Sequence, residues 1–322
     1  MFVTVRVDLE MTKRLKLLLV VAGYIYSQGT SGIDSLSIIS EGWCHNLPRT
    51  IYANLERVNV SNKWFEVYRL DNDVFAIYEP HQWQEVISYL ILGSEKALLF
   101  DSGNGIGEIS EIVNELTSLP VLVLNSHTHF DHIGGNSEFR DILAMDTDYT
   151  RNNVDGYSNE LVREEISEEA LCGSLPAEIN PATYYTPPFI VKTFIRDGYK
   201  IDLGGRILEV LSTPGHTPDA ISLLDLDLGL LWVGDIYYEG PIWLFVPETD
   251  LDVFYNSVKR LCNMVPHLTT LHPAHNSPIA QPQSLYALKK ALINVQNGTI
   301  SGKVISGGRL EYIFQEFSLI IK

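Results

Sequence analysis

Residues 121–135 read Val121-Leu122-Val123-Leu124-Asn125-Ser126-His127-Thr128-His129-Phe130-Asp131-His132-Ile133-Gly134-Gly135. The first four are apolar and follow Pro120, which predicts a short strand buried on both faces. Three histidines and an aspartate come next within six residues. Imidazole nitrogen and carboxylate oxygen are ligands that zinc accepts, and alternating positions after a strand can face different ions. A metal site is therefore predicted at the end of this strand.

The surrounding sequence alternates between strand and helix patterns. Residues 66–100 predict a β-meander, and a helix follows whose apolar face carries Ile109, Ile112, Val113 and Leu116. Later helices are predicted to begin at Asp250 and near Gln283. The predicted strands are residues 67–70, 74–78, 87–92, 97–100, 121–124, 207–211, 221–224 and 230–233. Strands in an early and a late cluster favour an α/β (α+β) fold of two mixed sheets covered by helices.

The chain is predicted to hold one domain, residues 31–322, after an N-terminal segment, residues 1–30. Three basic residues and an apolar run at 17–25 make that segment resemble a weak signal peptide. The alternative is an ordinary buried or disordered segment, so localisation stays open between the cytoplasm and export. The run is too short for an integral membrane span, which needs about 20 apolar residues. Residues 137–200, rich in Glu, Pro and Tyr, predict an insertion of helices and loops over the site.

Charge and cysteine content exclude some classes of partner and site. The chain has 23 basic and 40 acidic residues, a formal charge of −17, which would repel nucleic acid and anionic membranes. A small-molecule substrate is expected, and bound cations could still admit an anion locally. Cys44, Cys172 and Cys262 lie far apart without a CxxC pair, so neither a disulfide framework nor a thiolate zinc site is predicted. We expect them to be small buried hydrophobes.

Three later loops place further candidate ligands at predicted strand ends. Their sequences are Thr213-Pro214-Gly215-His216-Thr217-Pro218, Trp232-Val233-Gly234-Asp235 and Leu271-His272-Pro273-Ala274-His275-Asn276. An isolated histidine is more often structural. Strand ends gather the active residues of open α/β architectures, however, so we expect these loops to converge on one rim with the first motif.

In this order, HxHxDH, PGHT, GD and PAHN resemble the metallo-β-lactamase superfamily over about residues 66–280. The resemblance implies a four-layer αββα sandwich with metals at one edge. Asp101-Ser102-Gly103 is similar to the superfamily's early DxG element, which supports the ligand loop rather than binding metal.

The resemblance also implies a role for each candidate ligand. The first metal would be bound by His127, His129 and His216. The second would be bound by Asp131, His132 and His275, with Asp235 as the bridge. His275 is preferred over His272 because PAH aligns with the family's PGH. Asp131 would also be catalytic, by orienting the nucleophilic hydroxide.

Two departures from other branches bear on the metal. A second-site cysteine typical of one β-lactamase group has no counterpart near Asp235, and the bridging aspartate resembles thioesterases and lactonases. The flavodiiron branch usually has glutamate at the position of His129. The resemblance therefore implies two zinc ions, for which iron or manganese can substitute.

The implied function is hydrolysis of an ester-like carbonyl bond: a thioester, lactone, ester or β-lactam. Two cations would lower the pKa of a shared water, and the hydroxide would attack the carbonyl. The alternatives are a small-molecule phosphodiester or sulfate-ester hydrolase, and a non-catalytic binding protein with this fold. Retention of all seven ligands argues against the last. Tyr237 and Tyr238 follow the bridging aspartate, and aromatic packing is their expected role.

Overall fold

A computed structural model of the protein describes residue 39 and residues 42–322. The signal-like segment predicted at residues 1–30 lies outside them. In the part of the chain that is described, no helix combines the length and apolar character needed to cross a bilayer.

The first sheet contains eight strands in sequence order, and the first candidate metal-binding motif follows the end of its sixth strand. Its first five strands pair antiparallel, whereas β5 to β8 run parallel, with Leu99 opposite Val123. The strands are β1 (Glu56–Val58), β2 (Glu66–Leu70), β3 (Val74–Tyr78), β4 (Ile87–Leu92), β5 (Ala97–Phe100), β6 (Val121–Leu124), β7 (Ile142–Met145) and β8 (Thr193–Ile195). The predicted early strands are thereby confirmed.

The second sheet has the order β14-β12-β11-β10-β9 and is also mixed, because only β12 and β14 pair parallel. A smaller sheet, β13-β17-β16-β15, was not predicted. The strands of both are β9 (Lys200–Asp202), β10 (Ile207–Ser212), β11 (Ile221–Asp225), β12 (Leu230–Gly234), β13 (Gly240–Leu244), β14 (Thr270–Pro273), β15 (Lys303–Val304), β16 (Leu310–Ile313) and β17 (Phe317–Ile321).

The described residues form six α-helices. They are α1 (Ile109–Leu116), α2 (Phe130–Ile133), α3 (Asp148–Asn153), α4 (Asn159–Val162), α5 (Leu251–Cys262) and α6 (Ser284–Gln296). Helix α5 begins as predicted at Asp250, whose carboxylate accepts hydrogen bonds from two backbone amides of the first turn.

Three apolar clusters show how the layers pack. The central cluster joins the two large sheets, with Tyr89 and Phe100 from one and Trp232 from the other. A second cluster packs α1 against the outer face of the first sheet, and a third packs α5 and α6 against the second. Burial of each large apolar side chain contributes about 1.5–3 kcal/mol. The packing is that of the predicted αββα sandwich.

The insertion at residues 137–200 is more than helices and loops. It adds β7 and β8 to the edge of the first sheet, which the prediction missed because this segment has little hydrophobic periodicity. Tyr184 and Phe189 are buried in the apolar cluster between α1 and the first sheet, and they pack the insertion against it. Tyr185 is exposed.

The expectation for the cysteines was wrong for two of the three. A disulfide joins Cys44 to Cys172, whose Cα atoms are 5.4 Å apart. The two residues are separated by 128 positions, so no local spacing could have indicated the pair. Cys262 is a buried free thiol, as predicted.

Candidate metal centre

Four loops carry the candidate ligands to one edge of the sandwich. Strand β6 ends at Leu124 and leads to His127, and His129 is the residue immediately before α2, which carries Asp131 and His132. Gly134 closes this turn against another loop, since a Cβ atom there would lie 2.2 Å from the carbonyl carbon of Asn104.

The remaining candidates follow strands of the second sheet. His216 comes after β10, Asp235 after β12 and His275 after β14. The structure brings all seven candidates together, and six of them are buried while His129 is partly exposed. His272 lies elsewhere, stacked on Trp232 in the central core, with Nδ1 hydrogen-bonded to a backbone carbonyl.

The first ligand group consists of His127, His129 and His216. Nδ1 of His129 lies 2.9 Å from Nε2 of His127 and 3.2 Å from Nε2 of His216. Three imidazole nitrogens therefore point at one small volume, as they would around a shared cation.

The second ligand group consists of Asp131, His132 and His275. Nε2 of His132 lies 3.2 Å from Asp131 Oδ2, and Nε2 of His275 lies 3.8 Å from the same oxygen. Asp235 stands between the groups. Its Oδ1 lies 3.1 Å from His275 Nε2, whereas its Oδ2 lies 3.5 Å from His216 Nε2. Each carboxylate oxygen thus faces a different group, which suits a bridging ligand.

The outward-facing nitrogen of every imidazole has its own partner. Such contacts fix the tautomer and the orientation of metal-binding histidines. The pairs are His127 Nδ1 with Ser126 Oγ at 3.0 Å, His129 Nε2 with Glu248 Oε1 at 2.8 Å, His132 Nδ1 with Asp101 Oδ2 at 3.0 Å, His216 Nδ1 with the Trp243 carbonyl at 2.9 Å, and His275 Nδ1 with the Gln84 carbonyl at 2.8 Å.

Two buried polar atoms at the centre make no hydrogen bond of normal geometry: His132 Nε2 and Asp235 Oδ1. Buried polar atoms are rarely left without a partner, so each such atom calls for an explanation. A cation between the two ligand groups would use both atoms. The nitrogen and oxygen donors present therefore fit a pair of divalent metals.

Electrostatics acts unevenly on the candidate ligands: carboxylate partners raise the pKa of His129, His132 and His275 despite burial, whereas three other groups are held in the protonation states that bind metal. Burial lowers the pKa of His216 to about 4 and holds the pKa of His127 well below its usual value, so both imidazoles are neutral near pH 7. Burial alone would raise the pKa of Asp235, but His275 and His132 hold it well below the ordinary range. Neutral imidazole and ionised carboxylate are the forms that coordinate a metal.

Some supporting residues were foreseen and others were not. Asp101 supports the ligand loop as expected, since its Oδ1 accepts from the Ser126 amide and its Oδ2 faces His132. Glu248 was missed, because it lies in an irregular segment with no recognisable motif. The carbonyls of Gln84 and Trp243 could not be foreseen, because backbone oxygens have no signature in the sequence.

The tyrosines after Asp235 pack against neighbouring side chains, as expected. The Tyr238 ring lies 4.9 Å from the His275 ring, and its hydroxyl donates to the carbonyl of Pro241. The Tyr237 hydroxyl donates to Glu316. Both hydroxyls are therefore engaged away from the ligand groups.

Comparison with known proteins agrees with this architecture. The Lactamase_B family model, described as the metallo-beta-lactamase superfamily, matches residues 83–300. Acyl-coenzyme A thioesterase MBLAC2 of Gallus gallus is 26% identical over 214 residues, covering 63% of this chain and 76% of that protein. The probable metallo-hydrolase YqgX of Bacillus subtilis is 26% identical over 155 residues, covering 48% and 67%.

Solved structures share the fold at low sequence identity. A metallo-beta-lactamase from Erythrobacter litoralis is 16% identical with a TM-score of 0.53, covering 74% of this chain and all of that one. The metallo-beta-lactamase TMB-1 is 15% identical with a TM-score of 0.51, covering 72% and 99%. Because the family model spans well over half of the sequence, the chain belongs to the metallo-beta-lactamase superfamily.

Proposed function

We propose that this protein is a hydrolase that binds two zinc ions and cleaves an ester-like carbonyl bond. One observation carries the proposal. Each of five clustered imidazoles turns one nitrogen into the cluster and gives the other to a separate partner. A merely structural histidine cluster has no need for that division of the two nitrogens.

The chain's own residues would divide the work. His127, His129 and His216 would hold one ion, Asp131, His132 and His275 the other, and Asp235 would link them. When bound, such ions lower the pKa of a water molecule and polarise a carbonyl. Asp131 would also orient the nucleophile, because its carboxylate can accept a hydrogen bond at the second ligand group. No serine or cysteine nucleophile is required.

Thioesters, lactones and simple esters are the preferred substrates. The MBLAC2 relatives are named acyl-coenzyme A thioesterases, which supports carbonyl chemistry at this kind of site. The formal charge of −17 disfavours nucleic acid as a substrate. Near the centre, Glu248 adds a negative charge, and its pKa is lowered to about 2 by its contacts with His129 despite burial. A small phosphodiester or sulfate ester is the second candidate.

A hydrolysis panel on the zinc-reconstituted protein tests the proposal. The substrates are a lactone, an acyl thioester, a cephalosporin and a bis-aryl phosphodiester. We expect turnover of a carbonyl substrate, and preference for the phosphodiester would reject the substrate class.

Variants test the ligand assignment. His216→Ala and Asp235→Ala should lose bound zinc and activity together, as measured by metal analysis and initial rates. His267→Ala removes an exposed histidine far from any ligand group and should change neither. Full turnover by either ligand variant at full metal content would show that the assignment is wrong.

A further inference from the structure

An N-terminal arm, residues 42–54, reaches the candidate metal centre from outside the region that the family model matches. It contains two short 3-10 turns, Trp43–Asn46 and Thr50–Asn54. The Cys44–Cys172 disulfide ties the first turn to the insertion, and the ring of Tyr52 stacks on that of Tyr78 at 4.4 Å. The arm therefore contacts the rest of the protein both before and after residues 47–49, which join the two turns.

Arg49 lies in that joining segment and binds two residues beside the ligands. Its Nε and Nη2 donate to the two carboxylate oxygens of Glu85 at 2.7 and 2.6 Å, and Nη2 also donates to Asn276 Oδ1 at 2.8 Å. The Glu85 side chain is only 4% exposed and also accepts from the Tyr78 hydroxyl. A buried carboxylate is strongly disfavoured once its cation is removed, so Arg49 determines where Glu85 can sit.

Glu85 and Asn276 are next to residues that hold His275 in place. The Asn276 amide donates to the Glu85 carbonyl at 3.1 Å, and Val86 pairs with His275 across an antiparallel bridge. The neighbouring Gln84 carbonyl accepts from His275 Nδ1 at 2.8 Å. Backbone hydrogen bonds therefore fix the two chain segments relative to each other, and the orientation of the His275 ring depends on their register.

Backbone strain makes this junction dependent on its contacts. Glu85 has φ 49° and Asn276 has φ 68°, both in the left-handed region that non-glycine residues seldom adopt. Such conformations persist where the surroundings over-determine them. The Arg49 guanidinium binds both side chains, and it adds this side-chain contact to the backbone hydrogen bond that already joins the two strained residues.

We propose that Arg49 is a positioning residue for the second ligand group. It locks Glu85 and Asn276 together, which fixes the Gln84 carbonyl that orients His275. The inference rests on the proposed function only in taking His275 as a metal ligand. Loss of an outer partner of a ligand costs about 10–100-fold in metal affinity, so loss of Arg49, one residue further out, should cost roughly tenfold.

The test compares zinc release from full-length, disulfide-intact proteins titrated with a chromophoric chelator. Arg49→Gln should release one zinc ion roughly tenfold more readily than wild type, and Arg49→Lys should be intermediate because lysine cannot make the paired contact. Arg57→Gln is the matched control. It breaks a 2.8 Å ion pair with Glu66 in which the arginine is 58% exposed, and it should behave like wild type.

Two combinations separate positioning from general destabilisation. The double variant Arg49→Gln/Glu85→Gln should be no worse than Arg49→Gln alone, because the two residues act as one unit. In an Asp131→Ala background, which disables the second ligand group, Arg49→Gln should not alter the affinity of the remaining zinc.

Wild-type zinc affinity in Arg49→Gln would overturn the role of the arm and leave the proposed function intact. Should that variant fail to fold, wild-type affinity in Arg49→Lys would overturn it equally. Additional weakening of the remaining zinc in the Asp131→Ala background would also contradict it. A wild-type protein that binds only one zinc would instead reject the two-ion site of the proposed function.

Discussion

Replacing Glu248 by alanine should weaken metal binding at the first ligand group. Glu248 Oε1 accepts from His129 Nε2 and from the Tyr149 hydroxyl, each at 2.8 Å. The bond to His129 keeps the proton on Nε2, so Nδ1 stays free to face His127 and His216. Without the carboxylate, the ring can adopt the other tautomer and turn away from the centre.

The magnitude follows from the character of the bond. Burial would raise the pKa of Glu248, but the hydrogen bond and charge of His129 lower it to about 2, so the carboxylate is fully ionised near pH 7. Loss of such an outer partner weakens metal binding about 10–100-fold, or roughly 1.4–2.7 kcal/mol. Glutamine keeps a neutral acceptor, and charge-assisted bonds are roughly twice as strong as neutral ones. Glu248→Gln should therefore cost only about three- to tenfold.

Chelator competition on the zinc-loaded variants measures the effect. Tyr149→Phe is the control, since it removes the other donor to the same oxygen and leaves the carboxylate in place. We expect it to change zinc affinity by less than about threefold. Wild-type affinity in Glu248→Ala, or a loss confined to the second ligand group, would refute the assigned role.

Two further predictions concern stability. Burial raises the pKa of Glu79 to about 7 despite hydrogen bonds from Trp64 and Asn104. The folded state therefore keeps a proton that the unfolded state releases near pH 4.5, and the free energy of unfolding should fall by roughly 3 kcal/mol as the pH rises from about 4.5 to 7. Urea unfolding of the metal-free proteins should show this fall in the wild type and not in Glu79→Gln. Parallel dependence of the free energy of unfolding on pH in the two proteins would contradict the prediction. Gly215→Ala should destabilise by more than about 2 kcal/mol, because φ is 132° and a Cβ atom would lie 2.3 Å from the backbone of helix α5. Gly298→Ala, with open space around it, should cost about 1 kcal/mol in thermal unfolding, and equal costs would count against the steric argument.

Eight strands of the two large sheets were predictable because their apolar runs lie between strong turn formers. The turn between β2 and β3, for example, contains Asn72 and Asp73 at positive φ, a conformation that asparagine and aspartate tolerate. The small third sheet was missed for the opposite reason. Strand β13 begins with Gly240-Pro241, a pair that normally indicates a turn, and it finds its partner β17 at the far end of the chain.

The candidate ligands could be read from the sequence because each belongs to a compact motif at a strand end. Their partners could not be read in the same way. Cys44 and Cys172 meet only through tertiary structure, and Arg49 lies 227 positions before the Asn276 that it binds. Long-range pairs of this kind leave no local spacing, and a single sequence cannot reveal them.

This difference bears on how the site could be specialised. The candidate ligands come from motifs that resemble those of the superfamily, and a fold or motif of this kind does not determine the substrate. Glu248 and Arg49 reach the two ligand groups from an irregular loop and from the arm outside the matched region. Glu248 contacts a member of the first group, and Arg49 contacts neighbours of a member of the second, so changes at either position should alter the affinity of one ion without altering any candidate ligand. We therefore expect the residues that position the histidines to set the metal affinity of this protein. Zinc release from Arg49 and Glu248 variants would measure the effect on each ligand group separately.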